Sequence, residues 1–376
     1  MKKIFSLLLL INYFVSAQIN QDAGILKKSI AISTGINMTY NEIGKAGGET
    51  VILLHGYTDT KRSFEATIQH LNALNPTLKI YALDQRGHGE SSMPAEDRCA
   101  QSPEFCFTPA DFAKDVIAFM DKKNISRAFI VGHSMGSIHT QELALQYPER
   151  LKGIVLIGSF INGTEMPFIN DFLIGGILEN LWRSELEKGG HFRWPTDAYN
   201  LKPIDMKPSL TEWIKTEWTV DPTAKDELVN VIYADAMQLK LGTWIGAIKA
   251  LAKVDNREAL KNLNVPALVL WATQDNACPE SQQILLRESL DEAVKRNNIT
   301  YSFKTYGIEP LPESGLQENE LGHNLQWGAP IHVAEDINSF ITTGSAKSGL
   351  PYANPKNLKE ILVVKNSNNI IRKGNK

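Results

Sequence analysis

The feature that most limits the fold of this 376-residue chain is a series of short apolar segments, each ending in glycine or a polar residue. The segments are VILLHG (51–56), IYALDQRG (80–87), RAFIVGHS (127–134), GIVLIGS (153–159), ALVLWATQD (267–275) and TYSFKTYG (300–307). Such runs are typical of strands buried on both faces of a parallel sheet. Helical patterns such as FAKDVIAFMDKK lie between them. The alternation predicts an α/β fold with a mostly parallel central sheet and helices on both faces.

The alternation is interrupted between residues 163 and 250, where the pattern is mostly helical. This segment contains five of the seven tryptophans, namely Trp182, Trp194, Trp213, Trp218 and Trp244. An insertion between two strands of one sheet predicts a helical cap at the carboxyl edge of the sheet. Its aromatic side chains would either contact a substrate or, for most of them, form the core of the cap itself.

The ends of the chain differ from its centre. Residues 1–17 have two lysines, an apolar run and then Val-Ser-Ala, which is the layout of a secretory signal peptide cleaved after Ala17. The alternative is an anchor that is not cleaved, although the run is shorter than the roughly 20 residues of a membrane span. The predicted organisation is a signal peptide (1–17), a core in two parts (25–162 and 251–342), the cap (163–250) and a polar C-terminal extension (343–376). A hairpin around NSNN is expected in that extension.

The three cysteines fit an exported protein. Cys99 and Cys106 lie seven residues apart in a loop rich in proline and serine, and they would close a small disulfide in an oxidising compartment. The alternative is two free thiols. Cys278 is left over, and we expect a structural role for it.

Composition argues against several classes of function. Hydrophobic residues make up 43% of the chain and charged residues 22%, with a net charge of −3 from 39 basic and 42 acidic residues. Neither nucleic acid nor stable insertion in a membrane is therefore expected. The chain has no metal-ligand spacing, phosphate loop or dinucleotide fingerprint, so we expect neither a metal nor a cofactor. Oligomeric state stays open.

The sequence GHSMG places Ser134 between Gly132 and Gly136, after a predicted strand and before a predicted helix. A sharp turn at this point leaves no room for side chains beside the serine. The turn would expose the hydroxyl at a helix N-terminus, where backbone N–H groups favour a developing negative charge. We therefore predict that Ser134 is a nucleophile.

A serine hydroxyl needs a base, and the base needs an acid that orients it. Asp275 follows the predicted strand ALVLWA, and His323 follows the last one, which gives the chain order serine, acid, histidine. The other histidines lie in predicted loops, helices or the cap, and the side chain of His133 should point away from the site. Backbone N–H groups of Tyr57 and Met135 are the expected oxyanion hole. The side chain of Tyr57 either lines the pocket or only packs.

The motifs HGYTDT, DQRGHGESS, GHSMGS, WATQD and GHN, in this order, resemble the α/β-hydrolase superfamily over residues 50–342. They are similar to its capped branch of epoxide hydrolases, haloalkane dehalogenases, C–C bond hydrolases and esterases. The resemblance implies an α/β-hydrolase fold and a structural role for Asp84, Arg86 and His88. It also implies that a serine, where epoxide hydrolases carry aspartate, attacks a carbonyl carbon.

The sequence thus predicts a secreted or periplasmic serine hydrolase of a carboxylic ester, lactone or short acylglycerol, with a partly apolar small-molecule substrate. One alternative is hydrolysis of another carbonyl bond, such as an amide or the C–C bond of a diketone. The other is a ligand-binding member of the fold without catalysis. The substrate itself stays open.

Overall fold

The computed structural model of the protein describes residues 24–95, 97–306, 321–347, 362–366 and 369–373. The predicted signal peptide lies outside these residues and stays a prediction. Within the described residues, no helix combines the length and apolarity needed to cross a membrane.

In the described part of the chain, a single sheet contains ten strands. In chain order they are β1 (Leu26–Ala31), β2 (Asn37–Gly44), β3 (Glu49–Leu54), β4 (Leu78–Leu83), β5 (Ala128–His133), β6 (Leu151–Ile157), β7 (Ala267–Ala272), β8 (Tyr301–Tyr306), β9 (Leu362–Asn366) and β10 (Asn369–Lys373). In space the order is β1-β2-β4-β3-β5-β6-β7-β8-β9-β10. The six strands from β3 to β8 are parallel, and the two strands at each end are antiparallel.

The six predicted strands are thus confirmed, and so is the C-terminal hairpin, formed by β9 and β10. Strands β1 and β2 were not predicted. In β1 most side chains are exposed, and β2 mixes polar with apolar residues, so neither gives an apolar run. At the edge of a sheet a strand needs less apolar sequence than at its centre.

Helices cover both faces of the sheet. They are α1 (Glu65–Leu74), α2 (Asp97–Gln101), α3 (Pro109–Lys122), α4 (Met135–Gln146), α5 (Pro208–Trp213), α6 (Asp226–Gln238), α7 (Leu241–Leu251), α8 (Glu280–Asn297), α9 (Leu325–Gly328) and α10 (Pro330–Thr343). The described residues also contain two π-helical segments, Phe168–Arg183 and Ile214–Trp218, and one short turn, Ser184–Leu186, with 3-10 turns in the connections. Helix α3 begins at a capping box, in which Thr108 and Asp111 exchange hydrogen bonds.

The core explains why the strands are apolar throughout. Ile52 and Leu54 of β3 belong to a cluster on one face of the sheet, and Val51 and Leu53 belong to a cluster on the other. All four side chains are buried. Successive residues of a strand point to opposite faces, so a strand covered on both sides has no polar face.

A third cluster lies between the sheet and the helices that connect β6 with β7. We call the segment of residues 163–250 the helical insertion. Trp182, Trp213 and Trp244 are buried in this cluster with rings 5.3 to 5.9 Å apart. Trp194 and Trp218 are half-buried at its margin. Most of the tryptophans therefore form the core of the insertion.

Cys99 and Cys106 form a disulfide, as the sequence allows. It links Cys99 within α2 to Cys106 directly after the turn Pro103–Phe105, and both residues belong to the third cluster. Cys278 is buried and free.

Replacing both Cys99 and Cys106 with serine should lower the free energy of unfolding by about 2 kcal/mol, because a seven-residue separation closes only a small loop in the unfolded chain. Urea unfolding followed by tryptophan fluorescence measures the change. Dithiothreitol should shift the midpoint of the wild type equally, since the remaining cysteine is buried. An unchanged midpoint in the double variant would contradict the expectation.

Candidate active site

Ser134 occupies a strained turn between β5 and α4. Its φ is 50° and its ψ is −119°, a conformation that a residue with a side chain seldom adopts. Its N–H donates to the Ile157 carbonyl at 2.9 Å, which ties the turn to the end of β6. The residue is half-buried, so its hydroxyl lies at the edge of the sheet rather than inside it.

The glycines beside Ser134 are required by close backbone contacts. A Cβ atom on Gly132 would lie 2.2 Å from the Gly136 carbonyl oxygen, and one on Gly136 would lie 2.2 Å from the Leu54 carbonyl oxygen. Both distances are far below van der Waals contact. The expectation that side chains would clash at these two positions is confirmed.

Asp275 and His323 form a hydrogen-bonded pair. His323 Nδ1 lies 2.9 and 3.0 Å from the two carboxylate oxygens of Asp275, whose side chain is buried. The Cys278 N–H donates to Asp275 Oδ1 at 2.7 Å and fixes the carboxylate in the turn after β7. This pairing leaves Nε2 of His323 available as a base.

The charge of Asp275 acts on His323. Burial lowers the pKa of the His323 imidazole, but the neighbouring carboxylates, chiefly Asp275, together outweigh burial, and the net pKa lies above the ordinary value. The Asp59 and Asp221 carboxylates act in the same direction. An imidazolium formed during proton transfer would therefore be stabilised in place.

Ser134 and the Asp275–His323 pair meet at the carboxyl edge of the parallel strands, around Gly158. Gly158 follows β6 with φ of 51°, and a Cβ atom there would lie 3.1 Å from His323 Nδ1 and 3.3 Å from Asp275 Oδ2. The sequence prediction overlooked this residue, although the second glycine of GIVLIGS was the signal. Among the described residues no hydrogen bond joins the Ser134 hydroxyl to His323, a contact that often tightens only when substrate binds.

The two N–H groups expected to form an oxyanion hole belong to residues that follow the neighbouring strands β3 and β5. Tyr57 follows β3 and Met135 begins α4, and both residues are buried. Neither N–H has an acceptor within the described part of the chain. The Tyr57 hydroxyl donates to the Trp244 carbonyl at 2.6 Å, so this side chain packs against the insertion.

His133 does not simply point away from the site, and in this respect the prediction was wrong. Its Nε2 donates to the His323 carbonyl at 3.0 Å, and the two rings lie 4.8 Å apart. Gln326 Nε2 donates to His133 Nδ1, and the Asp59 carboxylate lies 3.9 Å from the same nitrogen. His133 therefore supports the main chain of His323, a contact between residues 190 positions apart that no local pattern reveals.

The sequence DQRGHGES is structural, as the resemblance implied. Arg86 binds both carboxylate oxygens of Asp115, at 2.6 and 2.7 Å, and Asp84 accepts hydrogen bonds from the Lys61 N–H and ammonium group. His88 is buried and donates from Nδ1 to the Arg86 carbonyl. These bonds hold the loop after β4 in place.

Burial lowers the pKa of His55 and of His88 to about 3. In the unfolded chain each would protonate near pH 6.5. Their contribution to stability is thus complete above that pH and is lost progressively as the pH falls from 6.5 toward 3. The Asp59 carboxyl opposes this trend, because burial raises its pKa to about 7.

A His88→Asn variant isolates one of these protons. Asparagine can still donate to the Arg86 carbonyl but does not titrate. Between pH 7.5 and pH 5 its free energy of unfolding should fall by about 2 kcal/mol less than that of the wild type. Urea unfolding at the two pH values measures the difference, and equal losses in both proteins would contradict the expectation.

Asp275, Cys278 and His323 also bring three potential metal-ligand atoms within 4.8 Å of one another. Burial raises the pKa of the Cys278 thiol well above its ordinary range, which disfavours the thiolate that binds metals. Asp275 and His323 are hydrogen-bonded to each other. These donors suit an acid–base pair better than a metal centre.

A cleft of about 1440 Å³ lies apart from this chemistry. It is bounded by α1, α6 and the segment after His323, and its walls include Arg62, Asp235 and Trp327. Neither Ser134 nor His323 lines it. We place the candidate active site at the serine, where the strained turn and the acid–histidine pair meet, and not in the cleft.

A family model described as serine aminopeptidase, S33, matches residues 47–303, which include Ser134 and Asp275. The chain belongs to this family of α/β-hydrolases. His323 lies beyond the matched residues of the S33 family, so its assignment depends on its contact with Asp275.

Two curated relatives of this S33 hydrolase agree with its place among the hydrolases. An uncharacterized hydrolase, YugF, of Bacillus subtilis is 24% identical over 317 residues, covering 82% of this chain and 95% of that protein. An epoxide hydrolase of Caballeronia sordidicola is 31% identical over 147 residues, covering 39% of each chain.

Solved structures agree with the fold. An esterase from Exiguobacterium antarcticum superposes with a TM-score of 0.62 at 16% identity, covering 85% of this chain and all of the other. A bacterial membrane phospholipase A superposes with a TM-score of 0.58 at 18% identity, covering 91% and 98%. At such identities the likeness concerns the α/β-hydrolase fold alone. The family match identifies the chain as a hydrolase of this superfamily.

Proposed function

We propose that this chain is an exported serine hydrolase that cleaves carboxylic esters through an acyl-enzyme on Ser134. The observation that carries the proposal is the Asp275–His323 pair, held at 2.9 Å at the same sheet edge as the strained serine. Export is supported by the disulfide between Cys99 and Cys106 and by the signal peptide expected at residues 1–17.

In the proposed reaction His323 Nε2 takes the Ser134 proton as the hydroxyl attacks the carbonyl carbon. The N–H groups of Tyr57 and Met135 bind the negative oxygen of the tetrahedral intermediate. His323 then protonates the leaving alcohol. In the second half it activates a water that releases the acid and frees the serine. Asp275 holds the imidazole in the correct tautomer throughout.

The nucleophile favours a carbonyl substrate over an epoxide. A carboxylate at this position can attack an sp³ carbon and form an ester that water then cleaves. A serine with an oxyanion hole instead suits a carbonyl carbon, whose oxygen gains charge in the transition state. The epoxide chemistry named for the similar relatives is therefore not expected of this chain.

The half-buried rings of Phe168, Phe172 and Trp218 suggest a partly apolar acyl group. Phe168 lies nearly parallel to Trp218 at 6.0 Å and lies 5.7 Å from Phe172, and Trp218 packs edge-on against the Tyr57 ring. Apolar and aromatic side chains line most small-molecule pockets.

Amide hydrolysis is the second candidate, because the matching family model is described as a serine aminopeptidase. Recognition of a peptide N-terminus would need a free carboxylate near the serine. Of the carboxylates that act on His323, Asp59 is buried beside His133, while Asp221 accepts hydrogen bonds from Asn324 and Thr223. Their engagement favours the ester over the amide.

The test compares p-nitrophenyl esters from acetate to palmitate with aminoacyl p-nitroanilides, using the chain that begins after Ala17. We expect ester hydrolysis with an optimum in chain length, and little anilide hydrolysis. Anilide hydrolysis alone would replace the ester proposal with the amide one. If neither esters nor anilides were cleaved but a fluorophosphonate still labelled the protein, lactones and C–C bonds would be the substrates to test next. Absence of labelling would refute a serine hydrolase.

A further inference from the structure

The loop after β3, residues 55–60, is bonded to the helical insertion at three of its positions. The Tyr57 hydroxyl donates to the Trp244 carbonyl of α7 at 2.6 Å. Trp218 Nε1 donates to Thr58 Oγ1 at 2.7 Å, and Thr60 Oγ1 donates to Asp235 of α6 at 2.7 Å. Each contact comes from a different helical segment of the insertion, so the loop and the insertion are held together.

The middle contact falls on a residue in an unfavourable conformation. Thr58 has φ of 64°, a left-handed value that is rare for a β-branched side chain. It is 1% exposed, and its hydroxyl accepts the hydrogen bond of Trp218. Strain of this kind persists only where the surroundings impose it. Thr58 also adjoins Tyr57, whose N–H is proposed to bind the oxyanion.

Trp218 is well placed to impose this conformation. Its ring packs edge-on against Tyr57 with centroids 5.7 Å apart, and it lies nearly parallel to Phe168. The residue is half-buried, whereas Trp182, Trp213 and Trp244 of the same cluster are buried. The Trp218 side chain thus contacts Phe168, Tyr57 and Thr58.

We propose that Trp218 is a positioning residue, which sets the Tyr57 N–H toward the oxyanion through its hydrogen bond to Thr58. The inference rests on the proposed serine hydrolase chemistry. It assigns to the helical insertion a part in completing the oxyanion hole, in addition to covering the site. Movement of the insertion would displace this donor, and a preorganised donor is effective only in place.

The test replaces Trp218 with phenylalanine, which keeps a ring against Tyr57 and Phe168 but removes the N–H. We expect kcat on p-nitrophenyl acetate to fall by about 10-fold to 100-fold with KM nearly unchanged, as small misplacements of reacting groups cause. The rate of fluorophosphonate labelling should fall by the same factor. A loss that appears in KM, or only with long acyl chains, would instead mark a substrate contact and overturn the proposal.

Trp213→Phe is the matched control. Its Nε1 donates to Leu210 within the insertion at 3.0 Å, and its ring belongs to the same cluster. This variant should keep the wild-type kcat. Equal losses in both variants would show a general effect of the cluster and refute the specific link.

Variants of Thr58 keep the proposal testable if the tryptophan variant folds poorly. Thr58→Val removes the acceptor and should lower kcat as Trp218→Phe does, while Thr58→Ser keeps the hydroxyl and should retain activity. The combined Trp218→Phe, Thr58→Val protein should be no slower than either single variant, since both remove one bond. Additive losses would overturn the link. A wild type without ester activity or labelling would instead refute the proposed function.

Discussion

Replacing Ser134 with alanine should lower kcat for ester hydrolysis by about a millionfold, the size of effect seen when a triad serine is removed. The hydroxyl is the atom that would form the acyl-enzyme, and no other group at this turn can substitute for it. Thermal unfolding should change little, because alanine fills the same half-buried turn and keeps its backbone contact with Ile157. Initial rates on the best p-nitrophenyl ester measure the loss.

Ser137 provides the control for this experiment. It lies three residues further along, at the start of α4, and its hydroxyl donates to the Ser134 carbonyl and lies within hydrogen-bond distance of the Ser159 hydroxyl. Ser137→Ala should still react with a fluorophosphonate, whereas Ser134→Ala should not. If the Ser134 variant were labelled or kept its activity, the nucleophile would lie elsewhere and the proposed mechanism would fail.

Replacing Asp275 with asparagine should lower kcat by about ten-thousandfold, the effect of the equivalent change in other triads. The amide is close in shape to the carboxylate, but its NH₂ group can donate to His323 Nδ1 and select the wrong tautomer. The raised pKa of His323 also depends on the Asp275 charge, so the variant imidazole should lose its proton at lower pH. The pH dependence of kcat/KM reports that pKa.

Asp59→Asn distinguishes the roles of the two buried carboxylates, Asp59 near His133 and Asp275 near His323. Asp59 lies 3.9 Å from His133, whereas Asp275 is bonded to His323. The Asp59 variant should therefore lose far less activity than the Asp275 variant. If the order of the two losses were reversed, Asp59 would be the orienting acid.

Sequence reasoning succeeded where a local pattern carries the information. The strand, turn and helix around Ser134 can be read because the apolar run, the glycines and the helix formers are contiguous. Asp275 and His323 were chosen by their places after predicted strands, and the structure puts them in contact. Their catalytic roles stay predictions that the variants test.

The features that were missed depend on contacts between distant parts of the chain. His133 beneath the His323 carbonyl and the Trp218–Thr58 bond, which spans 160 positions, leave no periodic signal. The edge strand β1 was overlooked for another reason. Its exposed, lysine-bearing sequence lacks the apolar run that marks a central strand.

Gly158 has a consequence for how this protein can be altered. Its left-handed φ of 51° already disfavours every residue with a Cβ, and that atom would also press on both His323 and Asp275. Variation at Phe168 or Phe172 changes rings of the insertion and leaves the acid–histidine pair untouched, whereas a methyl group at 158 would force His323 and Asp275 to shift by a few tenths of an ångström. Efforts to redirect selectivity should vary the insertion outside Trp218 and leave Gly158 alone, because here the missing side chain is itself a requirement of the chemistry.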